Sequence, residues 1–201
     1  MSLDKYLIYV VDDDEAVRDS LAWLLEGTGY RVQVFESAEK FLNRCDLNAV
    51  AVLILDIRMP GMTGLELQEV LASKASTLPI IFITGHGDVP MAVKAMKLGA
   101  ADFIEKPFNE LVLRDLVSKM LAIAQKAKDQ EREKMRNQAL LDKLTGRQRQ
   151  VLERIVAGRL NKQIADDLTI SIKTVESHRA SIMSKLNVNT VAELMRVVLP
   201  Q

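Results

Sequence analysis

The sequence predicts two domains: an α/β domain with a doubly wound, five-stranded parallel sheet, followed by a small all-α domain. Short apolar runs alternate with helical patterns up to about residue 125, and the pattern from residue 141 onward is helical throughout. Charge divides the chain in the same way. Residues 1–125 hold 12 Lys/Arg and 18 Asp/Glu, whereas residues 126–201 hold 15 and 9. A basic second domain attracts polyanions, of which nucleic acid is the commonest.

The predicted sheet rests on five short apolar runs bounded by polar or turn residues. These strands are Leu7–Val11, Arg31–Phe35, Val50–Leu55, Ile80–Thr84 and Asp102–Ile104. Helical patterns follow them at Ala16–Gly27, Ala38–Arg44, Gly64–Lys74, Pro90–Leu98 and Asn109–Gln125. Repeated strand–helix units of this length imply a parallel sheet covered on both faces by helices.

A polar segment, residues 126–140, separates the predicted domains at 1–125 and 141–201. It contains opposite charges three positions apart and no Gly or Pro, which favours a helical linker; a disordered tether is the alternative. Four helices are expected beyond it, over residues 146–157, 161–168, 172–186 and 190–199. Thr145 and Thr190 each precede a Gln or Glu at capping-box spacing.

Polar side chains occur where the predicted strands end: Asp12, Asp13, Asp56, Thr84 and Lys106. Ligands of such sheets bind outside the carboxyl ends of the strands. Clustered carboxylates repel one another unless a cation neutralises them, and Mg²⁺ prefers oxygen ligands. A carboxylate such as Asp56 can also attack phosphorus, with Mg²⁺ and a lysine stabilising the transferring group. The sequence therefore predicts a Mg²⁺-dependent phosphoryl site.

The predicted helix over residues 172–186 has two dissimilar faces. Its apolar stripe consists of Ile172, Val175, Ile182 and Leu186, and the opposite face carries Lys173, Glu176, Ser177, Ala180 and Ser184. A helix with a packed back and a small-residue front can enter a DNA major groove, braced by the helix over residues 161–168. A four-helix docking module with a solvated face is the alternative.

Four segments resemble the receiver domain of two-component response regulators: VVDDDEAVRDSL, LILDIRMPGMTGLEL, FITGHGD and ADFIEKPF. The resemblance covers residues 4–125 and implies a CheY-like fold with Asp56 as the phosphoacceptor. It implies Mg²⁺ binding by the side chains of Asp12, Asp13 and Asp56 and by the backbone carbonyl of Arg58.

The same resemblance assigns roles at the ends of the last two strands. Thr84 and Lys106 would contact the phosphoryl group, and Phe103 would be the aromatic switch that follows Thr84. A cis peptide bond is expected between Lys106 and Pro107. His86 is expected to line the loop after Thr84.

Residues 141–201 resemble the LuxR-type helix-turn-helix domain, through the segment LTGRQRQVLERIVAGRLNKQIADDLTISIKTVESHRASIMSKL. Together the two resemblances indicate the NarL/FixJ family, with a FixJ-like receiver. They place Glu176, Ser177 and Ala180 against bases, Lys173, Thr174, His178 and Arg179 near phosphates, and Asn161 and Lys162 on the DNA backbone. Arg147 and Arg149 are expected to be solvated.

The function expected from these features is transcription control by phosphorylation. The expected partners are a sensor histidine kinase, double-stranded DNA half-sites and a second copy of the chain when phosphorylated. A magnesium phosphohydrolase is the enzyme alternative, but it needs an acid two residues after the nucleophile, where Arg58 stands. We therefore expect phosphotransfer and slow autodephosphorylation only. A receiver whose output domain binds protein or RNA is the other alternative.

The expected location is the cytoplasm, without a membrane partner. The sequence shows no secretory signal pattern and no apolar run long enough to cross a bilayer. Its single cysteine, Cys45, is expected to be a partly buried hydrophobe.

Overall fold

The structure is a computed structural model, and it describes residues 6–85 and 89–199. Its contacts divide the chain into two compact units, Met1–Lys128 and Asp129–Gln201. The predicted limits at residues 125 and 141 stay predictions. His86 lies outside the described residues.

The first unit contains a parallel sheet with strand order β2-β1-β3-β4-β5. The strands are β1 (Leu7–Val11), β2 (Arg31–Phe35), β3 (Ala51–Leu55), β4 (Ile80–Thr84) and β5 (Asp102–Glu105). Every residue of β1, β3 and β4 is buried, as expected for central strands covered on both faces. The predicted doubly wound sheet is confirmed.

Alternate residues of β1 enter two separate cores. Tyr9 and Val11 pack with α2 (Ala38–Arg44) and α3 (Gly64–Ser73), while Ile8 and Val10 pack with α1 (Glu15–Glu26) and α5 (Glu110–Leu141). Helix α4 (Val89–Lys97) belongs to the Tyr9 side through Ala95. Successive side chains of a strand point to opposite faces, so the sheet is covered on both sides.

Helix α5 spans Glu110–Leu141, or 32 residues. It extends beyond Gln125 through residues 126–140, where a helical linker continuing the last receiver helix was favoured over a disordered tether. Its charged pairs three residues apart stabilise a solvated helix by about 0.2–0.5 kcal/mol each.

The second unit contains four helices after α5 among the described residues: α6 (Gly146–Val156), α7 (Asn161–Leu168), α8 (Ile172–Leu186) and α9 (Val191–Val198). Thr145 and Gln148 form the expected capping box. The second predicted box is incomplete. Thr190 accepts from the Glu193 amide at 3.1 Å, but Glu193 Oε2 accepts from the Asn189 amide at 2.7 Å instead of from Thr190.

Helix α7 begins without a side-chain cap. Leu160 is its N-cap residue, and a leucine has no atom that accepts a hydrogen bond; Gln163 Oε1 accepts from the Leu160 amide at 2.9 Å. The Leu160 side chain is 71% exposed, so replacing it sacrifices little packing. Only half of a capping box is therefore present.

We expect Leu160→Ser to complete this box and to raise the free energy of unfolding of the second unit by about 1 kcal/mol. Urea denaturation of the full chain, followed by circular dichroism, measures the change. Leu160→Ala is the matched control, because it removes the leucine without supplying an acceptor. Equal stability of the two variants would contradict the capping argument.

Candidate functional site

The carboxyl ends of three strands of the sheet bring predicted site residues together. Asp12 follows β1, Asp56 follows β3 and Lys106 follows β5. The Lys106 ammonium lies between the two acidic side chains: Nζ donates to Asp12 Oδ2 at 2.7 Å and to Asp56 Oδ1 at 3.3 Å. The peptide bond between Lys106 and Pro107 is cis.

Backbone amides hold the second oxygen of each carboxylate. The Arg58 amide donates to Asp56 Oδ2 at 2.7 Å, and the Asp14 amide donates to Asp12 Oδ1 at 2.9 Å. Each carboxylate therefore has one oxygen on the backbone and the other on Lys106. The Arg18 guanidinium also donates to the Asp12 carbonyl at 2.8 Å. The sequence did not predict this contact, although Arg18 lies within the receiver-like segment VVDDDEAVRDSL.

The two carboxylates are buried, with residue exposures of 3% for Asp12 and 7% for Asp56. Burial raises the pKa of Asp56 above its ordinary value; the Lys106 charge opposes this shift and the Asp12 charge adds to it. Burial alone would lower the pKa of Lys106, but its bonds and proximity to both carboxylates raise it. Lys106 therefore stays protonated, and one ammonium faces two carboxylates. This excess of negative charge attracts a cation.

The chemistry of this donor set fits Mg²⁺, which proteins commonly bind through one or two carboxylates while it keeps several waters. The third expected carboxylate, Asp13, is exposed. Within residues 6–85 and 89–199, no group of three or more His, Cys, Asp or Glu side chains is placed to hold a metal ion. The structure thus gathers Asp12 and Asp56 around Lys106 and leaves Asp13 outside the pair.

The two predicted switch residues lie on the adjacent strands β4 and β5. Thr84 is buried at the end of β4, and its carbonyl accepts from the Lys106 amide at 2.8 Å. Phe103 is half-buried on β5 and packs against the core on the Tyr9 side of the sheet.

In the second unit, α8 presents the polar face that the sequence predicted. Val175, Ile182 and Leu186 are buried in the helical core. The predicted base-contacting residues and two of the predicted phosphate-contacting residues are exposed: Lys173, Thr174, Glu176, Ser177 and Ala180. The other predicted contacts are half-buried at His178, Arg179 and Asn161 and exposed at Lys162.

One prediction for this unit is wrong. Ile172 does not belong to the packed stripe, since it is 46% exposed in the first turn of α8. Arg147, which was expected to be solvated rather than bound to DNA, makes contacts within the domain. Its guanidinium donates to the Leu168 carbonyl at 2.5 Å and to Gln150 Oε1 at 2.8 Å, which ties α6 to the end of α7.

A buried polar group connects α6 to α8. Gln148 is 6% exposed; its Nε2 donates to Ser181 Oγ at 2.9 Å, and its Oε1 accepts from Lys185 Nζ at 2.8 Å. Lys185 also donates to the Lys143 carbonyl at 3.0 Å. The capping-box spacing predicted only the bond between Gln148 and Thr145. The contacts to α8 join positions more than 30 residues apart and carry no local signal.

Comparison with known proteins finds one family match in each part of the chain. Residues 8–118 match the family described as response regulator receiver domain, and residues 142–198 match bacterial regulatory proteins of the luxR family. Response regulator protein TmoT of Ectopseudomonas mendocina is 45% identical over 197 residues, covering 98% of this chain and 90% of its own. Transcriptional regulatory protein FixJ of Bradyrhizobium diazoefficiens is 42% identical over 192 residues, covering 96% and 94%.

Two solved structures extend over both units. The structure of response regulator StyR is 43% identical, with a TM-score of 0.89, and the match covers 96% of this chain and 98% of StyR. Full-length FixJ from B. japonicum is 41% identical, with a TM-score of 0.59, and the match covers 98% and 97%. Among the residues that the structure describes, none of the helices has the length and apolar content that a membrane span requires. The chain belongs to the NarL/FixJ family of two-component response regulators, with a receiver domain followed by a LuxR-type DNA-binding domain.

Proposed function

We propose that this chain is a cytoplasmic transcription factor that a sensor histidine kinase activates by Mg²⁺-dependent phosphorylation of Asp56. The observation that carries the proposal is the buried cluster of Asp12, Asp56 and Lys106, in the same chain as a helix with an exposed polar face. A buried pair of carboxylates that shares one ammonium contributes little to folding stability, because burying charges is costly. The same charges can serve phosphoryl transfer, in which a carboxylate attacks and a cation stabilises the phosphoryl oxygens.

In the proposed reaction, an Asp56 carboxylate oxygen attacks the phosphorus of a kinase phosphohistidine. The new O–P bond forms as the P–N bond breaks, and the electron pair of the broken bond returns to the imidazole nitrogen. Lys106 stays charged and stabilises the phosphoryl oxygens, while the Thr84 hydroxyl donates to one of them. Mg²⁺, held by Asp12, Asp13, Asp56 and the Arg58 carbonyl, would neutralise developing charge.

The proposed output is dimerisation and DNA binding. Thr84 and Phe103 shift once the phosphoryl group is present, and two receiver domains associate. Two copies of α8 then meet paired half-sites, with Ser177 and Ala180 among the residues on base edges and Lys173 among those on phosphates. Asp56 acts as a stoichiometric acceptor, so only slow autodephosphorylation follows. Exposure of the polar α8 face supports this assignment.

The full-length protein tests the proposal directly. After incubation with acetyl phosphate, we expect intact mass spectrometry to show one added phosphoryl group, formed only with Mg²⁺. We expect the modified protein to bind a selected promoter fragment at least about tenfold more tightly, because linked domains engage two half-sites together. Affinity for DNA should fall steeply with added salt. A modified protein whose affinity is unchanged would contradict phosphorylation control, and sustained turnover of phosphomonoesters would favour an enzyme.

A further inference from the structure

The loop that follows the acceptor aspartate is fixed at both ends. We call residues 57–63 the acceptor loop. The Arg58 amide near its start donates to Asp56 Oδ2 at 2.7 Å, and the Gly64 amide just beyond it donates to the Ile57 carbonyl at 2.9 Å. The loop therefore places the Arg58 backbone directly against the acceptor carboxylate.

Two carboxylates from different helices hold consecutive amides of this loop. Glu66 Oε2 accepts from the Thr63 amide at 2.8 Å, which is the local capping box of α3. Glu39 Oε1 accepts from the Met62 amide at 2.9 Å, although Glu39 lies 23 residues earlier, in the first turn of α2. The second contact is long-range and connects α2 to the acceptor loop.

Several hydrogen bonds hold the Glu39 carboxylate in place. Hydrogen bonds from its own amide, from the Met62 amide and from Ser37 lower the pKa of Glu39, so the group is ionised at neutral pH. It sits against a tight turn: Gly61 has φ +75°, and a Cβ at that position would lie 2.9 Å from Glu39 Oε1. An ionised acceptor aimed at a backbone amide forms a strong hydrogen bond even near the surface.

We propose that Glu39 is a positioning residue for phosphorylation of Asp56, acting through the acceptor loop. Its carboxylate holds the Met62 amide and thereby restricts the segment that carries Arg58, whose carbonyl is a proposed Mg²⁺ ligand. This inference rests on the proposed function. Residues that orient a metal ligand through a hydrogen bond commonly change metal affinity by about tenfold or more when they are lost. The core of α2, Ala38 and Phe41, does not depend on Glu39.

The test compares three variants of the full-length protein with wild type. Glu39→Met removes the acceptor with a side chain of similar length, and Glu39→Gln keeps an acceptor oxygen without the charge. Glu36→Met is the matched control, since Glu36 is equally exposed nearby but pairs with Lys40. Two measurements are made: amide hydrogen exchange across residues 57–66 without metal, and the rate of phosphorylation by acetyl phosphate as Mg²⁺ is titrated.

We expect Glu39→Met to exchange the Met62 amide faster and to need about three- to tenfold more Mg²⁺ for half-maximal phosphorylation. The melting temperature and the rate at saturating Mg²⁺ should stay close to wild type. Glu39→Gln should recover most of the loss, and Glu36→Met should match wild type. This split between Mg²⁺ requirement and maximal rate separates positioning from a general loss of structure.

Two results would overturn the inference in different ways. If wild type is phosphorylated and Glu39→Met has the same exchange and Mg²⁺ requirement as Glu36→Met, Glu39 has no positioning role and the proposed function stands. If wild type gains no phosphoryl group although Mg²⁺ is present, the proposed function fails and the inference fails with it.

Discussion

Asp56→Asn is expected to abolish the phosphoryl adduct and the gain in DNA affinity that depends on it, while the chain still folds. An amide oxygen is a poor nucleophile, so acetyl phosphate should add no group even at high Mg²⁺. Intact mass and fluorescence anisotropy with labelled DNA measure the two losses. Residual affinity should equal that of unphosphorylated wild type, because the exposed face of α8 does not involve Asp56.

The same substitution has a predictable effect on stability. It removes one of the two buried carboxylates that share Lys106, which relieves repulsion. The Asn amide, however, has one acceptor oxygen and its NH₂ group can only donate, so one of the two bonds from Arg58 and Lys106 is lost. These effects oppose each other, so the free energy of unfolding without metal should stay within about 1 kcal/mol of wild type. Asp19→Asn, at an exposed position of α1, is the control. An Asp56→Asn protein that still gains DNA affinity after acetyl phosphate treatment would refute the assignment of the acceptor.

Gly64→Ala is expected to cost about 3 kcal/mol of receiver stability, which is at the upper end for overpacking of a buried site. A Cβ at Gly64 would lie 2.2 Å from the Asp56 carbonyl oxygen and 3.1 Å from Ile57 Cα. Both are backbone atoms, so either the acceptor loop or α3 must move. Phosphorylation should slow as well, because the crowded carbonyl oxygen belongs to Asp56, the proposed acceptor.

Chemical denaturation and acetyl phosphate kinetics on the full chain check this prediction. Gly85→Ala is a suitable control in the same domain, since no heavy atom of residues 6–85 and 89–199 lies within 4 Å of the Cβ that it would acquire. If both alanine variants unfold at the same denaturant concentration, the close approach of α3 to Asp56 is not a constraint on this protein.

The regular elements were largely predictable from sequence, and for physical reasons. The apolar runs of β1 and β4 are buried along their whole length, so the predicted limits of these strands agree with the observed ones. Helices α7 and α8 start at Asn161 and Ile172, and their predicted limits match the structure. The continuation of α5 through the polar segment was favoured by charged pairs three residues apart and by the absence of Gly and Pro, although this pattern left a disordered tether open.

The candidate site was only partly predictable. Strand-end positions identified Asp12, Asp56 and Lys106, because parallel strands deliver their carboxyl ends to one edge. Periodicity could not show that Glu39 reaches the Met62 amide, since a contact between distant segments leaves no repeat. Periodicity also placed Ile172 in the packed stripe, although its side chain is 46% exposed. The helical repeat shows that Ile172 is on the same face as Val175, but it does not show how far the core extends along that face. The local sequence pattern predicts the face of a helix or strand on which a side chain lies. The residues packed against that face determine whether the side chain is buried.

The bonds of Gln148 to Ser181 and Lys185 have a consequence for how such regulators diversify. These bonds hold α8 against α6 through polar side chains of both helices. Glu176, Ser177 and Ala180 take no part in them and are exposed. Substitutions on the outward face can therefore accumulate without disturbing how the helix is held. A few substitutions on this exposed face would therefore change the target sequences of a duplicated regulator, while α8 stays attached to α6 as before.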